Sequence, residues 1–143
     1  MGADLNHART LERAIEANLT GDSAVICVLY TDDVQGSSPV LNISSAAELA
    51  VELEDREDAF SDVEIELAPL EVSGDKACVE WVARATHSGA LVVDDDLVIE
   101  PTGRRFALRG VTVADFEGDR ICAFRQYWDE VELLEGLGLI PTE

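Results

Sequence analysis

The sequence predicts an α+β domain, on three observations. Apolar residues in the first third recur at helical spacing, the period changes to two from Asp62 onward, and two glycine-bearing turns divide the later part into hairpins. Helices segregated from antiparallel strands exclude the βαβ rhythm of a dinucleotide-binding fold. The 143 residues read as one domain spanning 1–143, with no repeat and no linker.

Each element has its own signal. Leu5, Ala8, Leu11 and Ile15 mark a first helix that Gly21 stops. Asp22 or Ser23 caps a second helix carrying Val25, Val28 and Leu29, and Asp32-Asp33 closes the pair. Residues 35–39 read as irregular. Ser45 and Glu48 stand at capping-box spacing before Leu49 and Leu53, so a third helix starts there, with the acidic run 52–58 as its solvated face. Val63, Ile65 and Leu67 alternate with acids, Ser73-Gly74-Asp75 turns the chain, and residues 77–87 return as the partner strand. Residues 105–116 and 121–128 flank a second turn with Gly118-Asp119 at its centre, and a short helix ends the chain.

Composition narrows the partners. Asp and Glu number 30 against 10 Lys and Arg, for a net charge of −20, while hydrophobic residues still make up 47%. A packed core is expected, and so negative a surface repels phosphate backbones and anionic lipid, so neither nucleic acid nor a membrane is an expected partner. Three readings of the acidity stay open: solubility, adaptation to a salty cytoplasm, or docking to a basic partner. Cys27, Cys78 and Cys122 are far apart in apolar runs and read as buried small hydrophobes, with neither a disulfide framework nor a metal pair. The first residues lack an apolar signal core and no run is long enough to span a membrane, so cytoplasmic residence is the expectation.

The second hairpin supplies a candidate pocket. With Gly118-Asp119 as the turn, Phe116 faces Ile121, and Cys122, Phe124, Gln126 and Trp128 share one face with Arg109, Val111 and Val113 across from them. Arg125 and Tyr127 point the other way. Gln126 between Phe124 and Trp128 suits an aromatic-lined cavity with one orienting polar group; a core with one satisfied glutamine is the other reading. A slip of one residue exchanges the faces.

Several motifs in order resemble a family: Leu29-Tyr30-Thr31-Asp32-Asp33, Thr86-His87-Ser88-Gly89, Pro101-Thr102-Gly103-Arg104, and Gly118-Asp119-Arg120-Ile121 leading to Arg125-Gln126-Tyr127-Trp128-Asp129. Together they resemble the SnoaL-like polyketide cyclases of the nuclear-transport-factor-2-like superfamily, relatives of ketosteroid isomerase and limonene epoxide hydrolase. The resemblance implies N-terminal helices on a strongly curved antiparallel sheet, a cone-like α+β barrel with a deep hydrophobic pocket, and a homodimer. It implies a cyclase or isomerase acting without metal or organic cofactor on an apolar oxygenated substrate such as a polyketide. A domain that binds a hydrophobic ligand without turnover is the alternative.

The family's chemistry maps unevenly. The acid/base Asp of the cyclases and the second acid of the epoxide hydrolases both fall on Gln126, the hydrolase Arg falls on Arg84 and its other acid on Thr86, and the companion His falls near Thr112. The hydrolase Tyr and Asn and the isomerase base fall in the segment after Asp33, where Ser37 and Ser38 stand. An amide cannot shuttle protons as a carboxylate does. The candidate catalytic set is therefore His87, Gln126, Arg84 and Asp129, with Phe124, Trp128, Tyr30, Val111 and Val113 as pocket walls. His87 has the side chain best suited to proton transfer near neutrality, and a strand-end histidine in solvent or on a backbone carbonyl is its other reading. Asp129 with Glu132 also has the spacing of a helix cap. Residues 88–100, with Asp94-Asp95-Asp96, read as a flap or extended hairpin whose acids form a solvated turn.

Overall fold

The structure is a computed structural model and describes residues 2–39, 41–55, 57–94 and 97–139. Asp95 and Asp96 of the acidic triplet lie outside them.

Helix α1 (Gly2–Thr20) buries Ala8, Leu11, Ala14, Ile15 and Asn18 at the three-to-four spacing of one helical face. It ends where Gly21 takes φ +77 and donates its N–H to the Ala17 carbonyl at 2.8 Å. Near its start His7 stacks on Phe116 with centroids 4.0 Å apart, and its two ring nitrogens lie 3.0 and 2.9 Å from the carbonyls of Gly74 and Gly118. One side chain thus ties the helix across both hairpin tips. A 3-10 turn (Ser23–Val25), capped by Asp22, leads into the single turn of α2 (Ile26–Leu29).

The chain is already extended at Tyr30, so the second helix ends before Asp32-Asp33, and residues 35–38 belong to strand β1 (Tyr30–Ser38) instead of an irregular segment. The pairing of β1 shifts register between Tyr30 and Gln35, which blurs the two-residue period that would have marked a strand. β2 (Leu41–Ile43) follows, then α3 (Ala46–Asp55), where Ser45 Oγ accepts from the Glu48 N–H at 3.1 Å and the Glu48 carboxylate accepts from the Ser44 N–H at 2.8 Å. β3 (Phe60–Ser73) and β4 (Lys76–His87) form the first hairpin, and β7 (Arg105–Glu117) and β8 (Arg120–Trp128) the second. Between them β5 (Leu91–Asp94) and β6 (Leu97–Ile99) make a separate two-stranded ribbon, the extended hairpin expected of residues 88–100. Helix α4 (Glu130–Gly136) comes last.

The main sheet runs β2-β1-β8-β7-β4-β3. It is the curved sheet of the expected α+β fold, open and with one parallel pair among antiparallel ones, because β1 pairs with β8 in parallel. These two strands are far apart in sequence, so no tight turn dictates their relative direction. The helices cover one face of this α+β sheet, and the core between them includes Leu11, Leu29, Leu49 and Leu53 against Val79, Trp81, Phe106 and Phe116.

A β-bulge corrects the register of the second hairpin. Phe116 does face Ile121, but the next pair is Asp115 with Ala123, so Cys122 is the extra residue. Beyond it Phe124, Gln126 and Trp128 stand opposite Ala114, Thr112 and Gly110. Arg109, Val111 and Val113 consequently point to the outer face, and Cys122 leaves the row of Phe124. The cysteines are not buried: Cys27 is exposed on α2, and Cys78 and Cys122 are half-buried.

Candidate active site

A narrow cleft lies between α1 and the concave face of β7 and β8. Leu11, Ala14, Ile15 and Asn18 of α1 form one wall, Tyr30 opens β1 beside them, and Thr112, Ile121, Phe124 and Gln126 come from the sheet. Its walls meet closely enough to leave no chamber for a free water molecule.

Four neutral polar side chains face one another across these apolar walls. The Asn18 Nδ2 donates to the Ala14 carbonyl at 3.0 Å and to the Tyr30 hydroxyl at 3.1 Å. Burial pushes the Tyr30 phenol far above its ordinary pKa, with the bond from Asn18 opposing, so it is a neutral hydroxyl at every physiological pH. Thr112 accepts the Trp81 indole N–H at 3.0 Å. Trp81 has room for this because Gly110 lies beneath its ring: a Cβ there would sit 2.3 Å from the indole. Gly36 makes the same accommodation for Phe124, whose ring would be 2.3 Å from an added Cβ. Gln126 stands directly across from Thr112.

The structure thus brings together three of the residues expected at a pocket, Tyr30, Phe124 and Gln126. Trp128 packs against the core beside Gly110, outside the cleft lining. Val111 and Val113 are on the opposite face, as the bulge requires. Arg84 is also on that outer face, half-exposed and 3.5 Å from Glu66, because its neighbours Ala83 and Ala85 take the inward positions of β4.

His87 is fully buried, neither in solvent nor in the cleft. It sits on the concave face eight residues along β4 from Val79, the partner of Thr112, a separation of about 26 Å at strand rise. Its Nδ1 accepts from the Thr102 N–H at 3.2 Å and lies 3.0 Å from the Thr102 hydroxyl, which itself accepts from the Arg104 N–H. The backbone of His87 bonds Gly103 and Arg104 at 2.8 and 2.9 Å. These contacts bind the Thr-His-Ser-Gly segment to the Pro-Thr-Gly turn. Burial lowers the His87 pKa, with the Gly89 backbone opposing, and leaves the ring neutral with Nε2 unpartnered among the described residues.

Asp129 caps α4, its carboxylate accepting from the Val131 N–H at 2.9 Å. Glu132 does not return to the cap; it lies 3.7 Å from the Arg109 guanidinium. Among the described residues, no group of His, Cys, Asp and Glu is placed to hold a metal ion, and no helix is long and apolar enough to cross a membrane.

Sequence reasoning did not single out Asn18, Trp81 or the hydroxyl of Thr112. Asn18 stands on the apolar stripe of α1, one turn after Ala14, and a polar residue at such a position is the one signal that could have found it.

The comparisons with known proteins agree with this architecture. The model of the SnoaL-like polyketide cyclase family matches residues 8–137. Among curated proteins, none matches the chain. TsrD from Streptomyces laurentii superposes with a TM-score of 0.78 at 18% identity, covering 95% of this chain and 97% of that one. IdmH from Streptomyces antibioticus, a proposed polyketide cyclase, gives 0.70 at 22% identity over 92% and 98%. An LEH-like epoxide hydrolase of M. tuberculosis gives 0.68 at 16% identity over 93% and 90%. At these identities the likeness is one of fold, and the family match over most of the chain carries the assignment: the chain belongs to the SnoaL-like polyketide cyclase family.

Proposed function

We propose that the chain is a cofactor-independent enzyme of cyclase or isomerase type, acting on an apolar oxygenated substrate such as a polyketide in the cleft between α1 and β8. The observation that carries this reading is the cleft's composition: apolar walls enclosing Asn18, Tyr30, Thr112 and Gln126, all neutral hydrogen-bonding groups. Such a site orients a flexible polyketone and polarises its oxygens, lowering a ring-closing barrier through geometry and hydrogen bonding in place of a strong base.

Of the four candidate catalytic residues, the reading keeps Gln126 at the reacting substrate. His87, Arg84 and Asp129 act through the fold: His87 holds the Pro-Thr-Gly turn, Arg84 pairs with Glu66, and Asp129 caps α4. Ligand pockets commonly hold roughly 300–1,000 Å³, whereas the closed walls here leave no room even for a water molecule. Substrate entry therefore separates α1 from the sheet. A homodimer belongs to the same reading.

A second reading, ligand binding without turnover, is favoured by one observation: among the described residues the cleft lining contains no carboxylate or histidine. A panel of aryl ketones and β-polyketones, incubated with the protein and followed by mass spectrometry, separates the two. Turnover yields a product of unchanged mass and new retention time, and Gln126→Ala abolishes it. Binding by calorimetry with no mass-neutral product supports the second reading, and a panel that neither binds nor reacts refutes both.

A further inference from the structure

The cleft's hydrogen-bond polarity specifies the kind of oxygen it receives, an inference that rests on the cleft being a ligand site. The Asn18 amide is oriented by Ala14: the atom facing that carbonyl has to be the nitrogen, so the same nitrogen donates to the Tyr30 hydroxyl. The indole N–H of Trp81 is a donor only, so its bond to Thr112 likewise uses that hydroxyl as an acceptor. Both hydroxyls therefore have a fixed donor on the oxygen and a proton left to give. Among the described residues nothing accepts either proton, and both residues are buried and line the cleft. A buried donor without an acceptor is unfavourable until a ligand supplies one.

We propose that Tyr30 and Thr112 are paired proton donors for acceptor-only oxygens of a neutral ligand, so that the cleft selects ketone or ester carbonyls on an otherwise apolar skeleton. Asn18 and Trp81 are positioning residues that set the direction of the two hydroxyl protons.

The test uses two probes of one skeleton, acetophenone and ethylbenzene, with the full chain. Titration calorimetry should show that Tyr30→Phe and Thr112→Val each weaken acetophenone by about tenfold, the loss of one neutral hydrogen bond, with ethylbenzene unchanged. Thr112→Ser keeps the hydroxyl and should retain acetophenone affinity, which distinguishes loss of the donor from damage to the fold. The infrared carbonyl band of bound, carbon-13-labelled acetophenone should move to higher frequency in each hydroxyl-deleting variant. If ethylbenzene binds but acetophenone affinity and carbonyl frequency ignore both substitutions, the donor assignment is wrong and the cleft survives as a ligand site. If neither probe binds the wild-type chain, the cleft reading falls, and this inference with it.

Discussion

Replacing Gly110 by alanine should destabilise the protein even though its backbone conformation suits any residue. An alanine Cβ would lie 2.3, 2.7 and 2.8 Å from three atoms of the Trp81 benzo ring, where ordinary contact begins at 3.4 Å. The ring has to retreat by about 1 Å, an overpacking that typically costs about 1–3 kcal/mol in a close-packed core. Retreat also lengthens the 3.0 Å bond from the indole N–H to Thr112. Leaving that buried donor unpartnered adds roughly 1–3 kcal/mol, for a total of about 2–6 kcal/mol. Urea unfolding followed by tryptophan fluorescence measures the loss. The cause is separated by a double-mutant cycle with Trp81→Phe, which removes the benzo ring that the methyl would strike. In that background Gly110→Ala should cost at least about 1 kcal/mol less. Equal cost in both backgrounds, or a wild-type cost below about 0.5 kcal/mol, would refute the packing account.

Gly36→Ala should cost about 1–3 kcal/mol by displacing Phe124 and should weaken acetophenone binding, because that ring is a wall of the cleft; unchanged stability in urea would contradict it. Asp129→Ala should lower stability by about 1 kcal/mol through the lost cap of α4, while acetophenone affinity stays unchanged; a loss of affinity would return Asp129 to the site. His87→Asn keeps an acceptor near the position of Nδ1 and removes the titrating ring. Since burial lowers the His87 pKa, the unfolded chain takes up that proton first on acidification, so the histidine's contribution is complete above about pH 6.5 and declines as pH falls below it. The stability difference between wild type and His87→Asn should therefore shift against the wild type below about pH 6.5; a shift in its favour would contradict the buried neutral assignment.

The fold was legible where local pattern and tertiary pairing coincide. Gly21, Ser45 with Glu48, and the turns at Gly74 and Gly118 act through their own backbone, and each punctuates the chain where its chemistry requires. β1 was hidden because its longer partner, β8, comes from the far end of the chain and its own register breaks after Tyr30. The site shows the same division. Tyr30, Phe124 and Gln126 could be named from motif and alternation. Val111 and Val113 exchanged places with Thr112 because one bulged residue, Cys122, inverts the facing of an entire strand pair, and a bulge leaves no mark on hydrophobic alternation. His87 was recognisable as special, but its work is to hold a turn, a role set by Thr102 fifteen residues later.

Charge and cleft chemistry point to the same ligand. The described ion pairs, including Lys76–Asp115, Arg84–Glu66 and Arg125–Asp115, lie on the outside of the sheet with side chains partly or largely in solvent, and such pairs contribute little stability. Among the described residues no charged group lines the cleft. An anionic ligand would have to leave water for neutral donors inside a chain of net charge −20, with repulsion all the way in. A carbonyl carries no such penalty, and two poised hydroxyls answer its dipole. The same neutrality constrains the reaction. With the phenol of Tyr30 held far above its ordinary pKa and His87 about 26 Å along the sheet, no group in the described cleft lining titrates near neutrality. Turnover that depends on positioning and hydrogen bonding should then be flat in kcat across neutral pH. A bell-shaped profile would locate an acid or base beyond the cleft lining.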